Sequence, residues 1–297
     1  MKKNASKISV LIVAVIIVVC GILSSKFPAL EAVFGGDLEY FKAENGVHFI
    51  DVGQGDSALV KTDDANILID AGPGISASEL KRYLDNQNVT TIDYFITTHP
   101  HEDHIGGADD VIYNYQVKNV IMPYIPESEM PTTKVFENML DAIEEKKVNV
   151  IQAKPGDKYD FGEDYFEILG PVEEYKDLNM LSVITRFSVD GKKFVFTGDA
   201  EKESELDTLR EFPDLSADVL KVSHHGSSTS SDEKFIKALS PDIAIISCGE
   251  DNNYGHPHDE TVDLLEKYNI DFYRTDEEGG VVITIENNQI YVNGEAA

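Results

Sequence analysis

The sequence predicts an α/β protein of two packed β-sheets with helices on their outer faces, a layered αββα arrangement. From Gly46 onward, short β-branched runs alternate with longer amphipathic ones, which calls for strand–helix units. Asp190-Gly191 and Asn287-Asn288 each separate two such runs, as the turn of a hairpin does. Hydrophobic residues make up 42% of the 297 positions and aromatic ones 9%, ample for a core. The 54 Asp+Glu against 25 Lys+Arg, a net charge of −29, therefore describe an acidic globular surface and not a disordered chain.

The elements follow in order. Residues 8–23 carry no charge and follow Lys2, Lys3 and Lys7, with Ser24, Ser25 and Lys26 behind. The run is short for a span, and residues 27–30 extend its apolar contact. Residues 1–26 are expected to be a membrane anchor, oriented by the flanking lysines, or a cleaved signal segment. A single-pass protein of the cell membrane results in the first case and a secreted one in the second. Both place the remainder outside the cytoplasm, with 27–45 as a tether. Strands are expected at 46–51, 57–61, 66–70 and 94–98, with a helix at 76–86. Strands at 117–122 and 148–152 flank a helix at 133–147, whose apolar face is Val135, Met139, Leu140 and Ile143. The hairpin 187–189/194–197 precedes strands at 217–222 and 243–247. Helices are expected at 201–212, 232–239 and 258–268, and the hairpin 281–286/289–292 closes the chain. No repeat or linker interrupts residues 46–297, so they form one domain.

The charge excludes one class of function. A broadly negative surface repels polyanions, so no stable duplex-binding face is expected and any phosphate must be met by local positive charge. Cys20 and Cys248 make neither a disulfide framework nor a zinc knuckle.

Chemistry concentrates in the histidines. Seven of the eight, all but His48, fall into three groups that each follow an expected strand. His99, His101, Asp103 and His104 gather three imidazoles and a carboxylate. Buried without a metal, such groups leave polar atoms unpaired at roughly 1–3 kcal/mol each; a divalent cation satisfies them together. Asp199, in Thr197-Gly198-Asp199, is either a cap of the next helix or a carboxylate bridging two cations. His224-His225-Gly226-Ser227 offers a further ligand and a turn that can hold an anion, without fixing which imidazole ligates. His256, on a loop, is a candidate to touch substrate or donate a proton, whereas His258 suits a helix cap.

Taken together, His99-x-His101-x-Asp103-His104, Asp70 at an earlier strand end and Thr197-Gly198-Asp199 resemble the metallo-β-lactamase superfamily. The segments 48–56, 224–227 and 255–258 are similar to the hydrolase domain of the ComEC competence proteins. The resemblance runs from about Gly46 to the C-terminus. It implies the four-layer αββα fold and a site for one or two divalent ions, Zn2+ or Mn2+. His99 and His101 would hold the first metal, and Asp103 and His104 the second. Asp199 would bridge them, and His224 or His225 would complete the second. Asp70 and Asp56 would stand behind the ligands and orient them. Many superfamily members carry another ligand histidine before the Asp199 position; here Asn179-Met180-Leu181-Ser182 stands in that stretch.

The expected chemistry is phosphodiester hydrolysis by a metal-activated water. Asp103 would orient the nucleophile, while His256, Lys221 and Ser227 would stabilise the leaving group and Asn179 would meet the substrate. The substrate is DNA, a nucleotide or a cell-wall polymer. Teichoic-acid or phosphorylcholine cleavage is the rival within hydrolases, and a surface module merely stabilised by metal is the rival outside them.

Overall fold

The computed structural model describes residues 42, 43 and 45–297. The expected anchor at 1–26, Cys20 and most of the tether lie outside the described residues. No described helix is long and apolar enough to cross a membrane.

The described chain runs through β1 (Gly46–Phe49), β2 (Ala58–Lys61), β3 (Asn66–Ile69), α1 (Ala77–Asn86), β4 (Thr91–Ile96), α2 (Glu102–Ile105), α3 (Ala108–Asn114) and β5 (Gln116–Met122). Next come α4 (Lys134–Lys146), β6 (Asn149–Gln152), β7 (Lys158–Phe161), β8 (Asp164–Gly170), β9 (Ile184–Val189) and β10 (Lys192–Phe196). The last part comprises α5 (Lys202–Glu211), β11 (Val219–Lys221), α6 (Glu233–Leu239), β12 (Ile243–Ile246), α7 (Asp259–Lys267), β13 (Asp271–Arg274), α8 (Thr275–Glu278), β14 (Val281–Glu286), β15 (Gln289–Val292) and β16 (Glu295–Ala296).

One sheet has the order β16-β15-β14-β1-β2-β3-β4-β5-β6 and the other β13-β12-β11-β10-β9-β8-β7. Each is antiparallel on one side and parallel on the other, the change falling at β3 and at β10. In open α/β sheets ligands bind beyond the carboxyl ends of parallel strands. Asp70, residues 97–104, residues 197–199 and residues 222–226 all leave such ends, so the topology brings the candidate groups to one edge of the sandwich.

Alternation along the strands builds the joint between the sheets. Val47 and Phe49, Ala58 and Val60, Ile67 and Ile69 from one sheet meet Phe166, Phe187, Phe194 and Phe196 from the other in one buried cluster. The Phe49 and Phe196 rings stack across it at 5.6 Å. Burying each such ring is worth about 1.5–3 kcal/mol. His48 lies between two of these inward positions and faces away, its Nδ1 2.8 Å from the Tyr83 hydroxyl. Burial, aided by Lys61, pushes its pKa down to about 3, so it is a neutral packing group. On the outer face of the second sheet, Phe235, Ile236 and Leu239 of α6 and Leu265 of α7 cover Leu220, Ala244 and Ile246.

Both expected hairpins form. Asp190 and Gly191 have φ of 48° and 78°, and Asn287 and Asn288 of 51° and 67°, as a two-residue turn between twisted strands requires. The buried face of α4 differs from the expected one: Phe136, Met139, Ala142 and Ile143 turn inward, and Leu140 is 40% exposed. The larger Phe136 takes the inward place that Val135 was expected to fill. The β7–β8 hairpin, β13 and the short helices α2, α3 and α8 have no counterpart among the expected elements.

Candidate metal centre

Residues 97–101 leave β4 as a loop that carries His99 and His101, and Asp103 and His104 stand in the single turn of α2 that follows. Strand alternation does not align His99 and His101, since both lie past the strand; the loop itself brings His99 Nε2 to 3.0 Å from His101 Nδ1. Asp199 follows β10 and does not cap α5, whose N-cap is Glu201. Its backbone N–H donates to Ser182 Oγ at 3.0 Å, leaving the carboxylate to the site. His224 and His225 sit in a tight turn, not on a strand, and both have left-handed φ, 50° and 54°. That backbone lets both rings approach Asp199, with Nε2–carboxylate distances of 3.6 Å each.

Four groups meet most closely: Asp103, His104, Asp199 and His225 offer ligand atoms within 4.8 Å of one another. His104 Nε2 lies 3.2 Å from Asp199 Oδ1, and His225 Nε2 lies 3.3 Å from Asp103 Oδ2. His104 Nε2, His225 Nε2 and Asp199 Oδ1 are nevertheless buried with no hydrogen-bond partner. Three orphaned polar atoms at one point fit a divalent cation, and the imidazole–carboxylate donor set suits one.

Hydrogen bonds behind the rings set the tautomers. His104 Nδ1 donates to Asp70 Oδ2 at 2.8 Å, and Asp70 accepts from the Thr98 N–H at 2.7 Å and the Thr98 hydroxyl at 2.6 Å. His225 Nδ1 donates to the Ser247 carbonyl at 2.9 Å, with Asp56 Oδ1 3.2 Å away. A carbonyl and a carboxylate only accept, so Nδ1 of both rings keeps its proton, and in the neutral form each ring presents the Nε2 lone pair. The Thr98 hydroxyl, spent on Asp70, can accept from His99 Nδ1 at 3.2 Å, with Ser182 Oγ 3.3 Å from the same nitrogen, while His99 Nε2 meets His101 Nδ1. Asp56 is reached through a loop that Gly55 closes: φ is 154°, and a Cβ there would stand 2.3 Å from the Asp103 carbonyl oxygen.

The electrostatics are those of imidazoles among carboxylates. Burial opposes charge on His225, yet Asp199 and Asp56 outweigh it and raise its pKa to about 10. Asp199 and Asp70 likewise lift His104 well above the usual range against its burial. Burial favours a neutral Asp199, but His104 and His225 hold its pKa well below the ordinary carboxylate value. Negative charge at this point already attracts protons, and a cation competes for the same atoms.

A cavity of about 620 Å³ opens onto these groups, lined by Gln54, His101, Asp103, Asn179, Asp199, His224, His225, Tyr254 and His256 among others. Among the described residues, no lysine or arginine is in its lining. His256 is buried with Nδ1 unpartnered. Burial, then His225 and His224, lowers its pKa to about 4, so at neutral pH it offers a hydrogen bond and not an acidic imidazolium proton.

Two expected substrate contacts are placed elsewhere. Lys221 is 3% exposed, and its Nζ donates to Asp56 Oδ2 at 2.8 Å and to the Val222 carbonyl at 3.0 Å. It compensates a buried carboxylate and does not line the cavity. The turn at Ser227 is closed to anions: its N–H donates to the His224 carbonyl at 2.8 Å, and the Ser228 N–H donates to His258 Nδ1 at 2.9 Å. His258 in turn donates from Nε2 to the Tyr254 carbonyl at 3.1 Å, so it ties two loops and does not cap α7 through its side chain. Glu205 carries no sequence signal beyond the polarity of its helix. It is fully buried and accepts from Ser223 Oγ at 2.8 Å and from the N–H groups of Ser231 at 2.9 Å and Asp232 at 2.7 Å, which anchors the histidine turn.

The description "Metallo-beta-lactamase superfamily" matches residues 50–250. The chain belongs to this superfamily. Within it the sequence resembles ComEC-like domains. It is 34% identical over 264 residues to "ComE operon protein 3" of Bacillus subtilis, covering 82% of this chain and 34% of that protein. "Competence protein ComA" of Neisseria gonorrhoeae is 28% identical over 80% of this chain and 32% of its own length. "Recombination protein 2" of Haemophilus influenzae is 30% identical, over 75% and 26% respectively. The chain thus spans about a third of the length of these relatives or less. Among solved structures, the superfamily-fold protein YhfI from Bacillus subtilis aligns with a TM-score of 0.50 at 13% identity, over 83% of this chain and 98% of that one. A mutant of the CmlA beta-hydroxylase, an enzyme of Streptomyces venezuelae, aligns at 0.53 and 12% identity, over 84% and 58%. These likenesses bear on the fold alone.

Proposed function

We propose that this chain is a metal-dependent phosphodiesterase acting on nucleic-acid ends or small diesters. Residues 1–26 would hold it at the outer face of a cell membrane, or release it when cleaved. The observation that carries the reading is the convergence of unpaired buried His104 Nε2, His225 Nε2 and Asp199 Oδ1 beside a cavity that, among the described residues, has no lysine or arginine in its lining. Asp103, His104, Asp199 and His225 would hold one ion, Zn2+ or Mn2+; His99 and His101 with Asp199 would hold a second. Held by these residues, a divalent cation would supply Lewis acidity for activating water and for offsetting charge on a phosphoryl oxygen.

The chain's own residues do the rest. Asp70, and Asp56 with the Ser247 carbonyl, keep the imidazoles aimed. The Asp103 carboxylate, on the cavity wall, orients the attacking oxygen and takes its proton. Neutral His256 donates a hydrogen bond to the departing oxygen. Relatives named as competence and recombination proteins support a nucleic acid over a β-lactam or a cell-wall polymer.

The test is metal content of the purified chain, followed by hydrolysis of bis(p-nitrophenyl) phosphate, single-stranded DNA and nitrocefin. Wild type is expected to contain divalent metal and to cleave both diesters but not nitrocefin. Asp103→Ala should lose about 100- to 10,000-fold in turnover while its circular dichroism stays unchanged. Absence of turnover with either metal would make the chain a metal-stabilised surface module instead. Because the surface is acidic, long DNA should bind no more weakly as salt first rises; a steep monotonic fall would contradict this reading.

A further inference from the structure

We propose that Tyr254, backed by His256, is a stacking platform for the nucleobase next to the phosphate that is cleaved. The inference rests on the phosphodiesterase reading and adds how the substrate is gripped. Tyr254 is 66% exposed, and its ring stacks on His256 with centroids 5.5 Å apart and planes 18° apart. His256 in turn lies 6.0 Å from His225, with 29° between the rings. Both Tyr254 and His256 line the same cavity as Asp103 and Asp199. A succession of near-parallel rings thus runs from His225 at the centre to the exposed face of Tyr254.

The backbone beneath that face is fixed. Asn252 Oδ1 accepts from the N–H groups of Tyr254 at 3.2 Å and His256 at 2.9 Å. Asn252 Nδ2 donates to the carbonyls of Gly249 at 3.0 Å and His256 at 2.6 Å. With the His258 bond to the Tyr254 carbonyl, the loop pays little of its ordering cost on binding.

Charge points to the same occupant. With no lysine or arginine on the lining among the described residues, phosphates away from the centre gain no ion pair from them, which favours uncharged contacts as the grip on the remaining substrate. Base stacking on an aromatic ring is such a contact and tolerates any base. A quaternary ammonium group would call for a cage of several rings around one point; the lining contains one tyrosine, no phenylalanine and no tryptophan.

The experiment uses the full chain loaded with Mn2+ or Zn2+. KM and kcat are measured on a single-stranded oligonucleotide, on its abasic counterpart and on p-nitrophenyl phosphorylcholine, for wild type, Tyr254→Ala and Tyr254→Phe. Tyr254→Ala is expected to raise KM for the base-bearing strand about 5- to 150-fold with little change in kcat. Tyr254→Phe should restore it, and KM for the abasic strand should be the same in all three proteins. Equal losses on both strands, or no rescue by phenylalanine, would overturn the platform. So would an effect confined to the phosphorylcholine ester, which would mark a cation–π site. A wild type that cleaves DNA without sensing its bases defeats the platform alone, whereas one that cleaves no diester defeats the phosphodiesterase reading with it.

Discussion

His104 and His225 meet at the centre from opposite sheets, and each has a buried carboxylate beside its Nδ1, but the two carboxylates are supported differently. Asp70 behind His104 is clamped by the Thr98 N–H and hydroxyl, with no basic side chain but the imidazole itself bonded to it. Burial dominates there and raises its pKa. Asp56 behind His225 is paired with Lys221, and although burial opposes ionisation, that ammonium and His225 bring its pKa down to about 2. The His225 arm therefore holds its charge balance within the protein, while the His104 arm depends on what its own ring meets at the centre. An orienting carboxylate can be fixed by charge or by neutral hydrogen bonds, and the two solutions should fail in different ways.

The largest expected effect lies on the charged arm. Lys221→Met should cost about 3–5 kcal/mol in a denaturant midpoint measurement, because it leaves Asp56 buried and unpaired. A loss below about 1 kcal/mol would erase the distinction between the arms. On the neutral arm, Asp70→Asn should weaken metal binding about 10- to 100-fold in a chelator competition while lowering stability less than Lys221→Met does. A reversed ranking would break the comparison.

A further effect is in pH. With metal stripped by chelator, His225 has a folded pKa raised from 6.5 to about 10. Its contribution to stability is fully present below pH 6.5 and is lost as pH rises through about 10. The chelated protein should therefore soften across that window in thermal unfolding, and saturating Zn2+ or Mn2+ should flatten the slope. A chelated protein that gains stability there would show that the carboxylates do not hold the ring's proton.

Much of this was legible in the sequence, because period and turn chemistry are local. The β14–β15 strands fall at 281–286 and 289–292 as expected, and α4 lies one residue inside its expected ends, with Thr133 and Lys147 as caps. The grouping of His99, His101, Asp103 and His104 could be read because all four lie within six consecutive residues, on the loop after β4 and the turn of α2. What could not be read depends on side chains meeting from distant strands. Lys221 resembles a substrate contact until Asp56, distant in sequence, is found 2.8 Å away. Glu205 resembles any acidic helix residue, yet it is fully enclosed and holds the turn that bears His225. The strands β7 and β13 are four residues each with two of them charged, too short for their pattern to stand out.

The four closest ligand atoms come from both halves of the sandwich, Asp103 and His104 from one sheet and Asp199 and His225 from the other. An ion gripped by all four is therefore a clasp as well as a reagent. By mass action it would tighten the folded chain by about 2.7 kcal/mol when present at a hundred times its dissociation constant. An organism that lets this metal run scarce would then lose the protein's cohesion together with its turnover.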